Sequence, residues 1–444
     1  MTFVHIPVFL GLLAAFAAGA EDPVGFSGLA GAPVKITTGK PEPAAADLRA
    51  RLKDSLTLEA AIAIAAGNNR DIQAVLAEAE GAAAGRRSAR MLPDLALEGD
   101  MRFGDGARRS DYALTVGLSD LLFYPVKWSA AGSAFRRDRM RAARELRGLI
   151  ADVKAAYYRL AAQEAIRKLS LAALEGAEAA DTLSARQLRA GNIGLLERSV
   201  QAEERQNAVL ALSAVEADLA ADRFDFARLL GLGGSDAPIA LQEASLELPA
   251  RDPSPEALLP ALLGANPELA AAKENAAAAG SAATLAEWNR LPALRGGVVL
   301  EQEGSRSFLG PKLALDVPLD LGWNAAAKAR ADRAAAEHRM AGLQDRLAAE
   351  LKTSQARMAA ARKTIAYYRE EVIPLREKVL AETQKQYNFM LIGVYQIIQA
   401  QQNEYLAQRG VLEAQRAYWL SHVELERMLG TPVPHPSEPS GGAR

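Results

Sequence analysis

The sequence predicts a mainly α-helical chain with a small β part, built from one plan used twice. Three observations carry that prediction. Between Pro125 and Pro238 no proline intervenes, and Ala, Leu, Glu, Arg and Gln dominate; these are strong helix formers. Four shorter runs alternate apolar and polar side chains, the period of two expected of a half-exposed strand. Short motifs then recur in the same order, always 197 to 199 residues apart.

That recurrence defines the organisation. Asn69-Arg70-Asp71-Ile72 matches Asn266-Pro267-Glu268-Leu269, and Leu92-Pro93-Asp94-Leu95 matches Leu291-Pro292-Ala293-Leu294. Leu114-Thr115-Val116 matches Leu313-Ala314-Leu315, and Lys154 matches Lys352. Gln201-Ala202-Glu203 matches Gln399-Ala400-Gln401, and Leu229-Leu230-Gly231 matches Met428-Leu429-Gly430. A period this long marks a duplicated unit rather than a small solenoid repeat.

The elements follow in order. Residues 1–20 read as a cleaved signal: an apolar run from Phe9 to Ala17 ends in Ala18-Gly19-Ala20 before Glu21. It is too short to span a bilayer as a helix, and no later stretch reaches ~18 apolar residues. Residues 21–55, rich in Pro and Gly, read as a flexible lead. The first repeat is expected over 56–231, with a helix at about 56–90 and strands at about 95–103 and 111–119. A helix follows from about 127 to 189, and a helical bend at about 190–196. A Gly/Pro-punctuated connector covers 232–253. The second repeat, 254–430, has a helix at about 254–290, strands at about 294–302 and 308–317, and a bend at about 389–395. Residues 431–444 read as a disordered tail.

The strands have a lipid-like face. Leu95, Leu97, Met101 and Phe103 fall on one side, Ala96, Glu98, Asp100 and Arg102 on the other; Tyr112, Leu114 and Val116 alternate in the same way. In the second repeat Leu294, Val298 and Leu300 oppose Arg295 and Glu301, and Leu309, Leu313, Leu315 and Val317 oppose Lys312, Ala314 and Asp316. Each run has the ~9-residue length of a tilted membrane strand. Phe103, Tyr112, Phe123, Tyr124, Trp128, Trp288, Phe308 and Trp323 cluster near the ends, as aromatic girdles do. Soluble hairpins packed on a protein core would alternate too; the signal sequence and the recurrence favour the membrane. Four strands cannot close a barrel, and open edges in lipid cost several kcal/mol per unpaired group. Strands in lipid therefore require several chains per barrel. The number of chains is not set by this reasoning, though three would give twelve strands.

Apolar residues at near-heptad steps, as in Ile150, Val153, Tyr157 and Leu160, Leu212, Val215, Leu219 and Phe226, or Met340, Leu343, Leu347 and Leu351, point to coiled-coil-like packing of long helices. Gly191-Asn192 and Gly194 in one repeat, and Phe389 to Gly393 in the other, are expected to turn each long helix back on itself. Ile193, Leu195, Leu391, Ile392 and Val394 lie at those tips. An apolar tip far from the core implies something that covers it, a partner or the packing of the hairpin itself.

Composition excludes several chemistries. A formal charge of −2 gives no electrostatic case for nucleic acid, and the absence of Cys excludes disulfides, thiolate sites and a lipidated N-terminal cysteine. His5, His338, His422 and His435 are not paired at ligand spacing. The Gly-rich segment after Leu230 lacks the Lys-Ser/Thr of a phosphate loop. No catalytic constellation, cofactor site or metal site is expected, and the chain is read as a non-enzyme.

In its order of motifs and its duplication the sequence resembles the TolC-like outer-membrane efflux proteins. The resemblance runs from about Leu56 to Gly430. It rests on "NNRDI"/"ANPEL", "LPDL"/"LPAL" and the two Gly-containing bends leading to "QAE"/"QAQ". It implies a homotrimer with a twelve-stranded β-barrel in the lipid of a Gram-negative outer membrane, continuing into a periplasmic α-helical barrel. It also implies a periplasmic adaptor, docked at Gly191, Ile193, Gly194, Leu195, Leu391, Ile392, Gly393 and Val394, and an inner-membrane pump for metal or drug efflux. Members of the family often carry acidic residues just past the second bend; here Gln396 and Gln399 stand there, matched in repeat one to Arg198 and Gln201, with Glu197 and Glu203 near enough to line the entrance instead. Gln cannot form a carboxylate ring, so cation block at those positions is not expected. The competing reading is a periplasmic coiled-coil adaptor or scaffold without a membrane barrel.

Overall fold

The computed structural model describes residues 56–91, 95–104, 107–233, 239–241, 246–249, 252, 255–303, 306–317 and 322–430. The expected signal, the lead to residue 55, the tail from 431, residues 92–94 and most of the connector lie outside them.

Each repeat opens with two helices where one was expected: α1 (Leu58–Asn68) and α2 (Arg70–Ser88) in the first, α6 (Pro255–Ala265) and α7 (Pro267–Trp288) in the second. An asparagine causes the break in both. Asn69 leaves helical geometry (ψ 119°), and its side chain accepts from the backbone N–H groups of Asp71 and Ile72 at 3.0 and 3.2 Å. Asn266 does the same for Leu269 at 2.6 Å, with Pro267 following at the first helical position. These are N-caps: a short side-chain oxygen satisfies the orphan donors of a new helix.

The strands are β1 (Leu95–Gly104), β2 (Ala107–Gly117), β3 (Ala293–Glu303) and β4 (Arg306–Asp316), paired antiparallel in the order β1-β2-β3-β4. The second strand starts earlier and ends earlier than expected. Residues 107–110, which fell between the two expected strands, belong to the ladder, and Arg109 there pairs with Glu301 on β3 at 3.1 Å. Residues 118 and 119, expected in the strand, belong to a one-turn helix α3 (Leu118–Leu122). There the Ser119 hydroxyl accepts from the N–H of Leu294 at 2.6 Å and ties the sheet to the helices.

The long helices are α4 (Tyr124–Arg189) and α5 (Leu195–Leu229) in repeat one. Repeat two has α8 (Trp323–Tyr367), a π-helical turn (Tyr368–Val372), α9 (Ile373–Asn388) and α10 (Val394–Leu429). At about 1.5 Å per residue α4 is roughly 100 Å long. Each repeat has its own core: Val153, Leu160, Phe226 and Leu230 in the first, Leu262, Leu347, Tyr418 and Leu425 in the second. The heptad residues named above are buried or half-buried in these cores. Tyr158 stacks on Trp419 across the two, with ring centroids 4.5 Å apart, and Lys154 donates to Glu426 at 2.8 Å. Burial raises the Tyr158 phenol to about 12.

The described parts of the connector are pinned at both ends. Leu56 N–H donates to Ala240 at 2.8 Å, beside a bridge between Leu56 and Leu241. Farther on, Trp419 donates to the Leu246 carbonyl at 3.2 Å. Arg362 donates to Asp252 at 2.8 and 2.6 Å, and Tyr418 donates to the same carboxylate at 2.6 Å. Burial pushes Asp252 up, but the Arg362 and Tyr418 hydrogen bonds outweigh it and hold the carboxyl below its usual range.

Candidate functional site

Two surfaces stand apart from the cores: the sheet and the tips of the helical hairpins. Register sorts the sheet into two faces. Leu97 pairs with Leu114, Leu114 with Val298, and Leu300 with Leu309, so one face carries Leu95, Leu97, Leu114, Val298, Leu309 and Leu315. These side chains are exposed, Leu97 to 77% and Leu315 to 60%. The other face carries Glu98, Asp100, Arg102, Arg109, Asp111, Arg295, Glu301, Lys312 and Asp316, linked by ion pairs such as Arg295 to Asp316 at 3.0 Å. Three aromatics expected near the strand ends in an outward girdle are corrected: Phe123 is buried, Tyr112 lies at the centre of β2, and Phe308 faces the charged side. Phe308 pairs with Glu301 and therefore sits on the charged face rather than in an outward girdle. Phe123 and Trp288 meet at 5.3 Å between centroids, and Arg290 lies over Trp323 as Arg90 lies over Trp128. These cation–π contacts sit where each long helix leaves the sheet. β1 and β4 are the two edges of the sheet. Among the described residues no helix is long and apolar enough to cross a membrane.

At the far end each long helix closes on a left-handed residue. In repeat one this is Gly191 (φ 73°); the next N–H, Asn192, donates back to Gln187 at 2.9 Å. In repeat two Met390 takes the same role (φ 59°), with Leu391 donating to Gln386 at 2.9 Å. This is the helix-ending arrangement that glycine normally fills. Among the described residues Met390 is the non-glycine residue with positive φ, and it is 93% exposed. Gly194 and Gly393 cap the returning helices with ordinary negative φ; nothing in their backbone demands glycine.

The structure places the expected tip residues together. Leu195 and Leu391 are exposed, and Ile193, Ile392 and Val394 half-buried. Leu196, Phe389 and Met390 are also exposed, and adjacency to the glycines was the only signal for them. A link that sequence reasoning missed joins the two tips: the Tyr395 hydroxyl donates to Gln187 at 2.5 Å.

The expected entrance residues separate. Glu197, Gln396, Gln399 and Glu203 are exposed, while Gln201 is half-buried. Glu197 accepts from the Gly194 N–H at 3.2 Å, the one half of a capping box that a glycine cap allows. Arg198 is drawn into an ion pair with Asp181. The pairing between repeats also shifts by one. With Gly194 and Gly393 both at the cap, Gln396 corresponds to Glu197 and Gln399 to Val200, not to Arg198 and Gln201.

The motif pairs have a structural meaning that the sequence did not disclose. The Asn69 amide donates to the Leu229 carbonyl at 3.1 Å, and Asn266 to Met428 at 2.6 Å. Gly231 (φ 74°) and Gly430 (φ 69°) follow those carbonyls; a Cβ on either would fall 2.5 Å from the Asn68 oxygen or 2.9 Å from that of Ala265. The recurring "N" and "LG" motifs are thus the two halves of one clasp.

No family model matches the chain. Over 210 residues it is 30% identical to the cobalt-zinc-cadmium resistance protein CzcC of Cupriavidus metallidurans; the match takes in 46% of this chain and 48% of that protein. The chain thus matches only about half the length of this curated relative. Solved structures align over most of their length at low identity. CusC gives a TM-score of 0.69 at 14% identity, covering 85% of this chain and 93% of that one. The Campylobacter jejuni outer-membrane channel CmeC gives 0.70 at 15%, covering 92% of each. The open state of the Neisseria gonorrhoeae outer-membrane channel MtrE gives 0.69 at 16%, covering 86% and 91%. The duplicated helical hairpins, the four-stranded sheet and these alignments lead to one conclusion: the chain has the fold of the TolC-like outer-membrane efflux channels.

Proposed function

We propose that this chain is one protomer of an outer-membrane efflux duct of a Gram-negative bacterium. Three copies complete a twelve-stranded barrel, and their long helices extend it into the periplasm. Movement through the duct is passive, with energy supplied by an inner-membrane pump reached through a periplasmic adaptor at the helical tips. The observation that carries this reading is the sheet: four strands with an exposed apolar face, a charged opposite face, and two edges for neighbours to extend. In hydrocarbon each edge must pair, so a second copy is the natural extension. The likeness to a cobalt-zinc-cadmium resistance protein supports a divalent metal cation as cargo. An adaptor or scaffold leaves the apolar outer face without a role. The signal (1–20), the repeats (56–231 and 254–430), the connector and the tail stand as the domain division that goes with this reading. So do the entrance at Gln396, Gln399 and Glu197 and the docking tip around Gly191 and Gly393.

The test is assembly. The protein should sediment with outer membranes, resist carbonate extraction and run as an SDS-resistant trimer. Val298→Arg, at the middle of β3 on the apolar face, should cost ~2–4 kcal/mol at the bilayer midplane and abolish the trimer band. Ala314→Arg, on the charged face, should leave it. Equal loss from both faces would end the barrel reading.

A further inference from the structure

The charged face of the sheet is organised across its whole width. Glu98 stands on one edge strand and Lys312 on the other, with two strands between them. Strands lie about 4.8 Å apart, so a flat sheet would hold β1 and β4 roughly 14 Å apart. Yet the Lys312 ammonium donates directly to the Glu98 carboxylate. The two side chains meet because the sheet curls towards its charged face, which makes inward-pointing side chains converge. Arg295 on β3 joins them, 3.8 Å from Glu98 and 3.0 Å from Asp316. Beneath them the floor is small: Ala113, Thr115 and Gly297. At Gly297 a Cβ would fall 2.0 Å from the Leu114 carbonyl oxygen, so no side chain can rise there. The long charged side chains therefore lie across this floor and bury Ala113 and Thr115 beneath them.

Only two residues separate β1 from β2, and only two separate β3 from β4. Selection within the sheet falls to side chains on its concave face.

Resting on the duct reading, we propose that Glu98, Arg295, Lys312 and Asp316 set the ion preference of the barrel lumen. The quartet holds two acids and two bases, so its formal charge is zero, and each protomer contributes one copy. Arg295 and Asp316 lie at the helix-side ends of their strands, so the quartet stands where ions pass from the helical barrel into the sheet. Balanced charge there favours neither sign of ion. Removing one partner leaves its opposite number exposed in every protomer, and a ring of like charges selects counter-ions.

The experiment is the reversal potential of the purified trimer in a planar bilayer under a KCl gradient. Lys312→Met should shift it towards the potassium value, raising the K⁺/Cl⁻ permeability ratio several-fold. Glu98→Gln should shift it towards chloride by a similar factor, and the double variant should return close to wild type. Arg295→Gln, expected to follow Lys312→Met, provides a second arm if the lysine variant does not assemble. Single variants that match wild type, or that move in the same direction, overturn the proposal while leaving the duct intact. A wild-type trimer that does not conduct overturns both.

Discussion

In repeat one the helix leaving the sheet runs unbroken for 66 residues, whereas in repeat two the same stretch is α8, a π turn and α9. The buried positions show what the π turn accommodates. Before it, Leu149 corresponds to Leu347, Val153 to Leu351 and Leu160 to Met358, all 198 apart. After it, Leu212 corresponds to Val411, Phe226 to Leu425 and Leu230 to Leu429, all 199 apart. Repeat two has gained one residue, and the wide turn absorbs it. An extra residue in a regular α-helix would rotate everything beyond it by about 100° and carry the buried stripe out of the core. A π turn confines the insertion to one loop of helix. Pro374 stands just past it; lacking an N–H, it cannot bond the carbonyl of Glu370, four residues back within the π turn. The opposing helix has adapted as well. At Gly410 a Cβ would fall 2.6 Å from the ring carbon Cζ of Tyr368, whereas Ala211 takes that place in repeat one.

At the clasps the two repeats should behave alike. Asn69→Ala and Asn266→Ala each remove a helix cap and leave a buried carbonyl unpaired, a loss of about 2–4 kcal/mol. Chemical denaturation followed by circular dichroism should register the two losses as equal. A large loss in only one repeat would show that the duplication is not closed symmetrically. Next in size is the π turn, where the repeats should differ. Gly410→Leu drives a side chain into Tyr368 and should cost about 1–3 kcal/mol. Ala211→Leu, exposed on its helix, should change stability by less than about 0.5 kcal/mol. The smallest effect belongs to the tips. Met390→Gly relieves a left-handed residue and should stabilise by about 1 kcal/mol, while Gly191→Met should cost about as much. Thermal melting of the two variants should move in opposite directions.

Much of the fold was legible because its signals are periodic. Long runs of helix formers and a clean alternation at Leu97 or Leu313 survive any local exception. The sheet faces were read correctly except at Phe308, where a single aromatic argued for the wrong side. What escaped was local backbone chemistry. Gly67, Asn68 and Asn69 lower helix propensity for only three residues inside a longer run of helix formers, and the capping geometry of Asn69 is what ends the helix there. Arg109 and Ser110 were left outside the expected strand, since a cross-strand ion pair is invisible until β3 lies alongside. At the tips the positions were legible, but the correspondence of Gln396 with Arg198 failed by one residue. Motif matching cannot see an insertion that the structure has hidden inside a helix.

The clasps and the sheet also differ in when they can form. Asn69 and Leu229 are 160 residues apart and both belong to the first half, so that half can close before the second has been made. The ladder between β2 and β3 joins opposite halves and must wait for the whole chain. Domains emerging from synthesis fold as units, N-terminal first. The greasy leucines of the two hairpins are therefore brought side by side late, once a stable helical shaft is already in hand, which shortens the interval in which they are open to a wrong encounter.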